Sequence, residues 1–260
     1  MKSWPTSIQD AIEFTAELLR KAQRAVVLTG AGISTPSGIP DFRSEGTGLW
    51  SHDEPLEAAS LNTFRTDPEK FYTWFRPFAR QIFDAQPNQA HLALARLERE
   101  GHIHSTLTQN IDLLHQKAGS KDVVELHGSL ATLSCTQCFR QVEAFPYLKP
   151  FVDNGKTPKC PACGAVLKPD VILFGEQLPQ KAWYAAQRAC RACDLMMVVG
   201  SSLEVLPVAG LPIQAIDRGA HLIILNNTST YLDVRADSVL QGDVADMIPA
   251  LAEQVFYGRN

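Results

Sequence analysis

The strongest constraint on the fold of this chain is a repeated coupling of short apolar runs to glycine or amide turns. Residues 25–28 (Ala-Val-Val-Leu) break into Thr29-Gly30-Ala31-Gly32, residues 195–199 stop at Gly200, and residues 221–225 stop at Asn226-Asn227. Apolar runs this short, bounded by such turns, read as buried strands. Residues 105–107 and 123–126 read as two more. Between them the period changes. Ile8, Ala11, Ile12, Leu18 and Leu19 recur at helical spacing behind a Ser7 and Asp10 capping pair. Residues 90–99 and 181–192, and those after Pro207, are also helical in pattern. This alternation predicts an α/β fold, a parallel sheet wrapped by helices. Ligands of a doubly wound sheet bind beyond the carboxyl ends of its strands. Gly30, Gln109, His127, Gly200 and Asn226 all lie at or just past such ends.

Two stretches break the alternation. Residues 36–83 lose clean periodicity, carry Gly38, Pro40, Gly46, Gly48 and Pro55, and then turn aromatic at Phe71, Tyr72, Trp74, Phe75 and Phe78. They read as a loop followed by a small helical module. Residues 134–166 hold four of the six cysteines with little apolar periodicity, so this piece needs help to fold. Cys135-Thr-Gln-Cys138 and Cys160-Pro-Ala-Cys163-Gly164, 21 residues apart, have the two-knuckle spacing of a zinc-thiolate site. Four thiolates leave the metal no open position, so the expected zinc is structural. The remaining pair, Cys190 and Cys193, falls in a helical stretch without the glycine or proline of a knuckle. Buried free thiols are its better reading, with a redox pair as the alternative. The expected division is a larger unit of residues 1–42, 84–130 and 171–260, a loop and helical module at 43–83, and a zinc module at 131–170.

At 260 residues, 45% hydrophobic and 20% charged, the chain can bury a core without covalent staples. Its net charge of −4 argues against a broad basic footprint, so direct nucleic-acid binding is not expected, although a local basic groove stays open. Lys2 is followed by Pro5 and polar residues rather than the apolar core of a signal peptide. No segment approaches the roughly 20 apolar residues that span a bilayer. The expected protein is cytoplasmic, away from membranes, and a monomer.

The chemistry concentrates after the strands. GAGISTPSGIPDFRS, residues 30–44, begins like a dinucleotide-binding turn, where absent Cβ atoms let backbone N–H groups approach a pyrophosphate. Thr35 stands where the third glycine would be, and no acidic residue closes a second strand about 20 residues on. Gly-Ala-Gly alone serves an ordinary turn equally well. Pro40-Asp41-Phe42-Arg43 adds an aromatic face and a cation. Thr108-Gln109-Asn110-Ile111-Asp112 sets several hydrogen-bonding side chains directly after a strand, where Asn and Asp also form plain turns. His127-Gly128 likewise ends an apolar run. A histidine there is often structural, yet its near-neutral pKa suits a base for a sugar hydroxyl. Residues 171–176, Val-Ile-Leu-Phe-Gly-Glu, read either as a buried strand or as an edge that takes an extended peptide. Gly200-Ser201-Ser202-Leu203 reads as a capped helix start or a hydroxyl-lined phosphate contact.

In this order and spacing, over about residues 25–245, these motifs resemble the sirtuins, and the run from Gly30 to Arg43 resembles the bacterial deacetylase branch. The resemblance implies a Rossmann-like NAD⁺-binding domain with a small zinc-binding and helical module inserted. It implies that Gly30, Ala31, Gly32, Thr35, Phe42 and Arg43 line the NAD⁺ loop and that Trp50 closes over it. Gln109, Asn110, Ile111 and Asp112 would surround the nicotinamide ribose and carboxamide, with Asn110 and Asp112 aiding catalysis. Gly200, Ser201, Ser202, Asn226, Asn227, Asp243 and Val244 would hold the adenosine half. Ile172, Phe174, Gly175 and Val205 would contact an acyl-lysine peptide.

In the implied reaction nicotinamide leaves, the acyl oxygen attacks the anomeric carbon, and His127 takes a ribose hydroxyl proton. Water then releases lysine and O-acyl-ADP-ribose, consuming NAD⁺. Relatives that remove succinyl or malonyl groups carry a Tyr-x-x-Arg pair; here Tyr72 is followed by Phe75, with Arg76 one place late, and Asp41 follows Ile39-Pro40 where those enzymes tend to carry Thr. Neutral acyl groups are therefore expected, acetyl first. Position 113 is Leu where many relatives carry Arg or a small residue. The alternatives are a mono-ADP-ribosyltransferase and a non-catalytic reader of NAD⁺ or acylated peptide; a dehydrogenase is disfavoured by the missing glycine.

Overall fold

The computed structural model describes residues 7–41 and 55–258. The chain begins with α1 (Ile8–Lys21), β1 (Ala25–Thr29) and three helices, α2 (Pro55–Ala58), α3 (Leu61–Thr66) and α4 (Pro68–Asp84). It continues through α5 (Gln89–Arg99), β2 (Ser105–Thr108), α6 (Leu114–Ala118) and β3 (Val123–Glu125). A second cluster follows: β4 (Gly128–Cys135), β5 (Gln141–Glu143), α7 (Phe145–Asn154) and β6 (Leu167–Val171). The chain then returns through α8 (Gln180–Ala192), β7 (Leu195–Val199), α9 (Leu211–Ile216), β8 (His221–Asn226), β9 (Ser238–Gln241) and α10 (Val244–Tyr257). No helix among the described residues is long and apolar enough to cross a membrane.

The expected parallel sheet is present. Six strands pair in the order β3-β2-β1-β7-β8-β9, all parallel, the doubly wound arrangement in which the strand order reverses beside β1. Side chains alternate between faces, which explains the unbroken apolar runs: both faces are covered. Val27, Met197, Val199, Ile223 and Leu225 pack under α1, α5 and α10, while Val26, Leu28, Met196, Val198 and Ile224 pack under α8 and α9. Helix α1 starts where Ser7 Oγ accepts from Asp10 N at 3.1 Å, and it buries Ile12, Ala16 and Leu19. Ile8 lies on the same stripe but in the first turn of the helix, and it is exposed.

A second core joins two segments distant in sequence. Phe64, Phe71, Tyr72 and Phe75 of α3 and α4 pack with Leu133, Leu148, Phe151 and Leu167 of the cysteine-bearing segment. Phe75 and Phe151 stack with ring centroids 6.3 Å apart and planes 9° from parallel. Truncating either ring to alanine would cost about 3–5 kcal/mol. The cysteine-bearing segment thus has regular structure despite its weak periodicity, a three-stranded antiparallel sheet ordered β5-β4-β6. Its apolar residues face a partner outside the segment, so no internal pattern marks them.

The run at 171–174 departs from the buried-strand reading. Strand β6 ends at Val171, and Phe174 pairs in isolation with Ser60. The chain must turn at Gly175, where φ is +88°, and the run cannot continue as a strand.

Candidate active site

The site grows from the carboxyl ends of β1, β2 and β7. Gly32 N donates to Gly200 O at 2.8 Å, and Gly30 N donates to Val199 O at 3.1 Å, so the two loops touch backbone to backbone. A Cβ at Gly30 or Gly32 would stand 2.7 or 2.8 Å from Gly200 O, which excludes any side chain there. Beyond this contact the chain makes two short 3-10 turns, at 31–33 and 35–37. Thr35 Oγ1 donates back to Gly32 O at 3.0 Å. Phe42, Arg43 and Trp50 lie outside the described residues.

The residues after β2 fold over the same end of the sheet. Asn110 Nδ2 donates to Gly30 O at 3.1 Å and to Ser34 Oγ at 3.0 Å. Ser34 Oγ in turn donates to Asp112 Oδ2 at 2.7 Å, while Asp112 Oδ1 accepts from Leu114 N, the first residue of α6, at 2.9 Å. Burial pushes the Asp112 carboxyl up, opposed by those two hydrogen bonds and by Lys117. Ser34, 1% exposed, is the residue the sequence reading missed. A serine in a glycine-rich loop looks like a turn former until its partners, some 78 residues away, are located.

His127 ends the apolar run that contains β3. Its Nδ1 lies 3.0 Å from Gln109 O, a carbonyl that can only accept. Nδ1 therefore carries the proton in the neutral ring, and the Nε2 lone pair is left for a substrate. Burial lowers the imidazole pKa, against a smaller opposite effect of that hydrogen bond. Ile172 N donates to His127 O at 2.8 Å, tying the histidine to the segment after β6.

The half of the site beside β7 and β8 is a second network. Gln109 Nε2 donates to Ser201 Oγ at 2.9 Å, and Asn226 Nδ2 donates to Ser201 O at 3.2 Å. Ser202 and Asn227 are exposed. Asp243 caps α10 by accepting from Ala245 N at 2.8 Å, and Val244 is buried behind it. The segment from Gly200 to Leu203 is no helix start: φ is +59° at Gly200 and +57° at Leu203, left-handed values that interrupt a helix. Ile111 packs at the edge of the second core. Phe174 and Val205 are 43% and 38% exposed, so both offer apolar surface to a ligand. Past them a hollow of about 440 Å³ is lined by Leu178, Trp183, Tyr184 and Pro207 among others.

The four knuckle cysteines converge. Their sulfurs all lie within 4.8 Å of one another, with Cys135 and Cys163 at 3.5 Å and Cys138 and Cys160 at 3.6 Å. A zinc with four Zn–S bonds of about 2.3 Å sets its sulfurs about 3.8 Å apart, so the group fits. Backbone N–H groups of Cys138 and Gln137 point at Cys135 Sγ and draw its thiol down to about 6, favouring the thiolate. Cys190 and Cys193 stand apart, with burial pushing their thiols up to about 12 and 11. They are buried thiols, as read.

Fold and site together define a doubly wound dinucleotide-binding protein with an inserted four-thiolate module. The Sir2 family model matches residues 30–207, and the chain belongs to that family, the sirtuins. It is 43% identical over 249 residues to NAD-dependent protein deacylase 2 of Archaeoglobus fulgidus, covering 95% of this chain and 97% of the relative. To NAD-dependent protein deacetylase 2 of Caldanaerobacter subterraneus subsp. tengcongensis it is 46% identical over 227 residues, 87% of this chain and 88% of the relative. A structure described under "Structural Basis for the Mechanism and Regulation of Sir2 Enzymes" superposes with a TM-score of 0.89 at 43% identity, covering 96% of this chain and all of that one. Sir2Tm bound to a propionylated peptide matches with a TM-score of 0.83 at 37% identity, over 94% of this chain and 98% of that one.

Proposed function

We propose that this chain is an NAD⁺-dependent protein-lysine deacylase acting on neutral acyl groups, acetyl first, with His127 as its base. The observation that carries the proposal is the fixed tautomer of His127. Gln109 O holds the proton on Nδ1, and burial keeps the ring neutral, so Nε2 is a ready acceptor for a ribose hydroxyl proton. Asn110, Ser34 and Asp112 form one hydrogen-bonded group at the point where the strand order reverses, the place a dinucleotide's ribose would occupy. NAD⁺, when bound, would supply an anomeric carbon with nicotinamide as its leaving group and the acyl oxygen as its new partner, and water would then free the lysine and leave O-acyl-ADP-ribose. The chain's own part is to orient the ribose through Asn110 and Asp112, exclude stray water, and move the proton at His127 Nε2. Ile172, Phe174, Gly175 and Val205 would hold the peptide as an added strand. Zinc on Cys135, Cys138, Cys160 and Cys163 would stabilise the module without touching the reaction.

The acyl preference has its own support. Arg76 is committed elsewhere: Nε donates to Val152 O at 3.1 Å and the guanidinium to Asp153 O at 2.9 Å, at the carboxyl end of α7. Tyr72 is buried among phenylalanines with its hydroxyl on Leu167 O. Neither is available to bind an acid. The test is incubation with NAD⁺ and peptides carrying acetyl, propionyl, succinyl or malonyl lysine, with products identified by mass. Free lysine peptide, nicotinamide and O-acyl-ADP-ribose are expected from the first two. ADP-ribose attached to protein, with the acyl group retained, would instead mark a mono-ADP-ribosyltransferase.

A further inference from the structure

The turn Leu173-Phe174-Gly175-Glu176 is held more firmly than its own hydrogen bonding requires. Glu176 N donates to Leu173 O at 3.0 Å, closing a reverse turn whose third residue, Gly175, has the positive φ such a turn uses. Phe174 is gripped on both backbone groups: its N–H donates to Ala59 O at 3.0 Å, and its carbonyl accepts from Leu61 N at 2.9 Å. The Glu176 carboxylate then folds back, its Oε2 accepting from Leu173 N at 2.8 Å and lying 2.9 Å from Lys168 Nζ. Lys168 Nζ also donates to Pro169 O at 3.0 Å and to Val171 O at 2.8 Å, so its three protons each have a partner.

This is the most buried ion pair among the described residues, with side chains 16% and 20% exposed. Elsewhere at least one partner is 45% exposed or more, a setting in which a pair contributes little. Taking two charges out of water is costly and is recovered only where geometry is close and every remaining donor is satisfied. Here both conditions hold, on a turn that is exposed at Phe174 and Gly175 and joined through Ile172 N to His127 O. We infer that Lys168 and Glu176 are positioning residues that fix this turn at the height where its outer edge pairs with an acyl-lysine peptide. The inference rests on the deacylase reading given above, because it names what the peptide edge of that site depends on. Lys168 acts from β6, through Glu176 and the carbonyls it holds, and touches no reacting atom.

The experiment compares binding of a fluorescent acetyl-lysine peptide, by anisotropy, with binding of ADP-ribose, by calorimetry, on the full chain. Lys168→Met should weaken peptide binding at least about tenfold, since breaking a partly buried pair strands its partner and two carbonyls. ADP-ribose affinity should stay within about twofold, and Lys168→Arg, which keeps charge and reach, should bring peptide binding back to within about threefold of the parent. Unchanged peptide affinity in Lys168→Met would overturn the inference, as would a parallel loss of ADP-ribose binding or failure of the arginine variant to recover. If Lys168→Met does not fold, Glu176→Gln carries the test, because it keeps shape and an acceptor for Leu173 N and removes only the charge. The same selective loss of peptide binding is expected, and none would overturn the inference. A parent protein that binds ADP-ribose but no acetylated peptide would instead sink the deacylase reading.

Discussion

Ser34 gives its hydroxyl proton to Asp112 Oδ2 at 2.7 Å, linking the loop after β1 to the loop after β2. Ser34 Oγ also accepts from Asn110 Nδ2, so one buried hydroxyl sets the orientation of both polar side chains. Ser34→Ala leaves them without their shared partner, a loss of about 1–3 kcal/mol for buried groups. Steady-state kinetics should show kcat/KM for NAD⁺ falling roughly 5- to 150-fold, with the melting temperature lowered by about 2–4 °C per kcal/mol lost. Kinetics equal to the parent's would show that Asn110 and Asp112 need no such bridge.

His127→Ala should lower the rate of acetyl-lysine loss at least about 100-fold while the protein remains folded, as expected when a general base is removed. The pH profile carries a second signature. Burial lowers the His127 pKa from 6.5, and an imidazole acting as base would work only when neutral. The acid limb of kcat/KM, which reports the free enzyme, should therefore bend below pH 6.5. A bend above that value would assign the titration to another group.

Behind the site, His91 and His115 pack edge to face with centroids 5.0 Å apart, and burial lowers their pKa values to about 4 and about 3. Unfolded, both take up a proton near 6.5. As pH falls from 6.5 toward 4 the unfolded state binds more protons, and stability should drop by about 1.4 kcal/mol per unit for each histidine. Asp112 and Glu125, whose carboxyls are raised, act in the opposite sense. The comparison with His115→Gln isolates the imidazole: urea unfolding between pH 6 and 4.5 should show a shallower slope in the variant, by about 1.4 kcal/mol per unit. Equal slopes would place those protons elsewhere.

Replacing Cys135 and Cys160 together by serine should abolish metal binding, measured by native mass spectrometry, and lower the melting temperature sharply. Zinc-dependent modules draw folding energy from their thiolates. Cys190→Ala is the contrast. It should cost about 1 kcal/mol and leave metal content unchanged. Full metal content in the double variant would refute the ligand set.

Strands β1, β7 and β8 were legible because each is covered on both faces, so its apolar run is continuous and its end is marked by Gly30, Gly200 or Asn226, whereas β9, Ser-Val-Leu-Gln, carries no such run. The four-cysteine cluster was legible because knuckle spacing is local. Less local relations were hidden. Ser34 is defined by partners on another loop, and Leu133, Leu148 and Phe151 by a helix some 60 to 80 residues away in sequence. At Leu203 and Phe174 local pattern misleads, since left-handed backbone and a lone bridge depend on what the chain meets next.

The strand order also fixes a timetable for synthesis. Apart from Ile39, the buried residues of the second core lie between Phe64 and Leu173, whereas β1 must wait for Leu195–Val199 to fill its open side. A chain leaving the ribosome can therefore collect its metal and complete the smaller body before the nucleotide fold can close. The first strand made gains its second neighbour only after the whole smaller body has been synthesised.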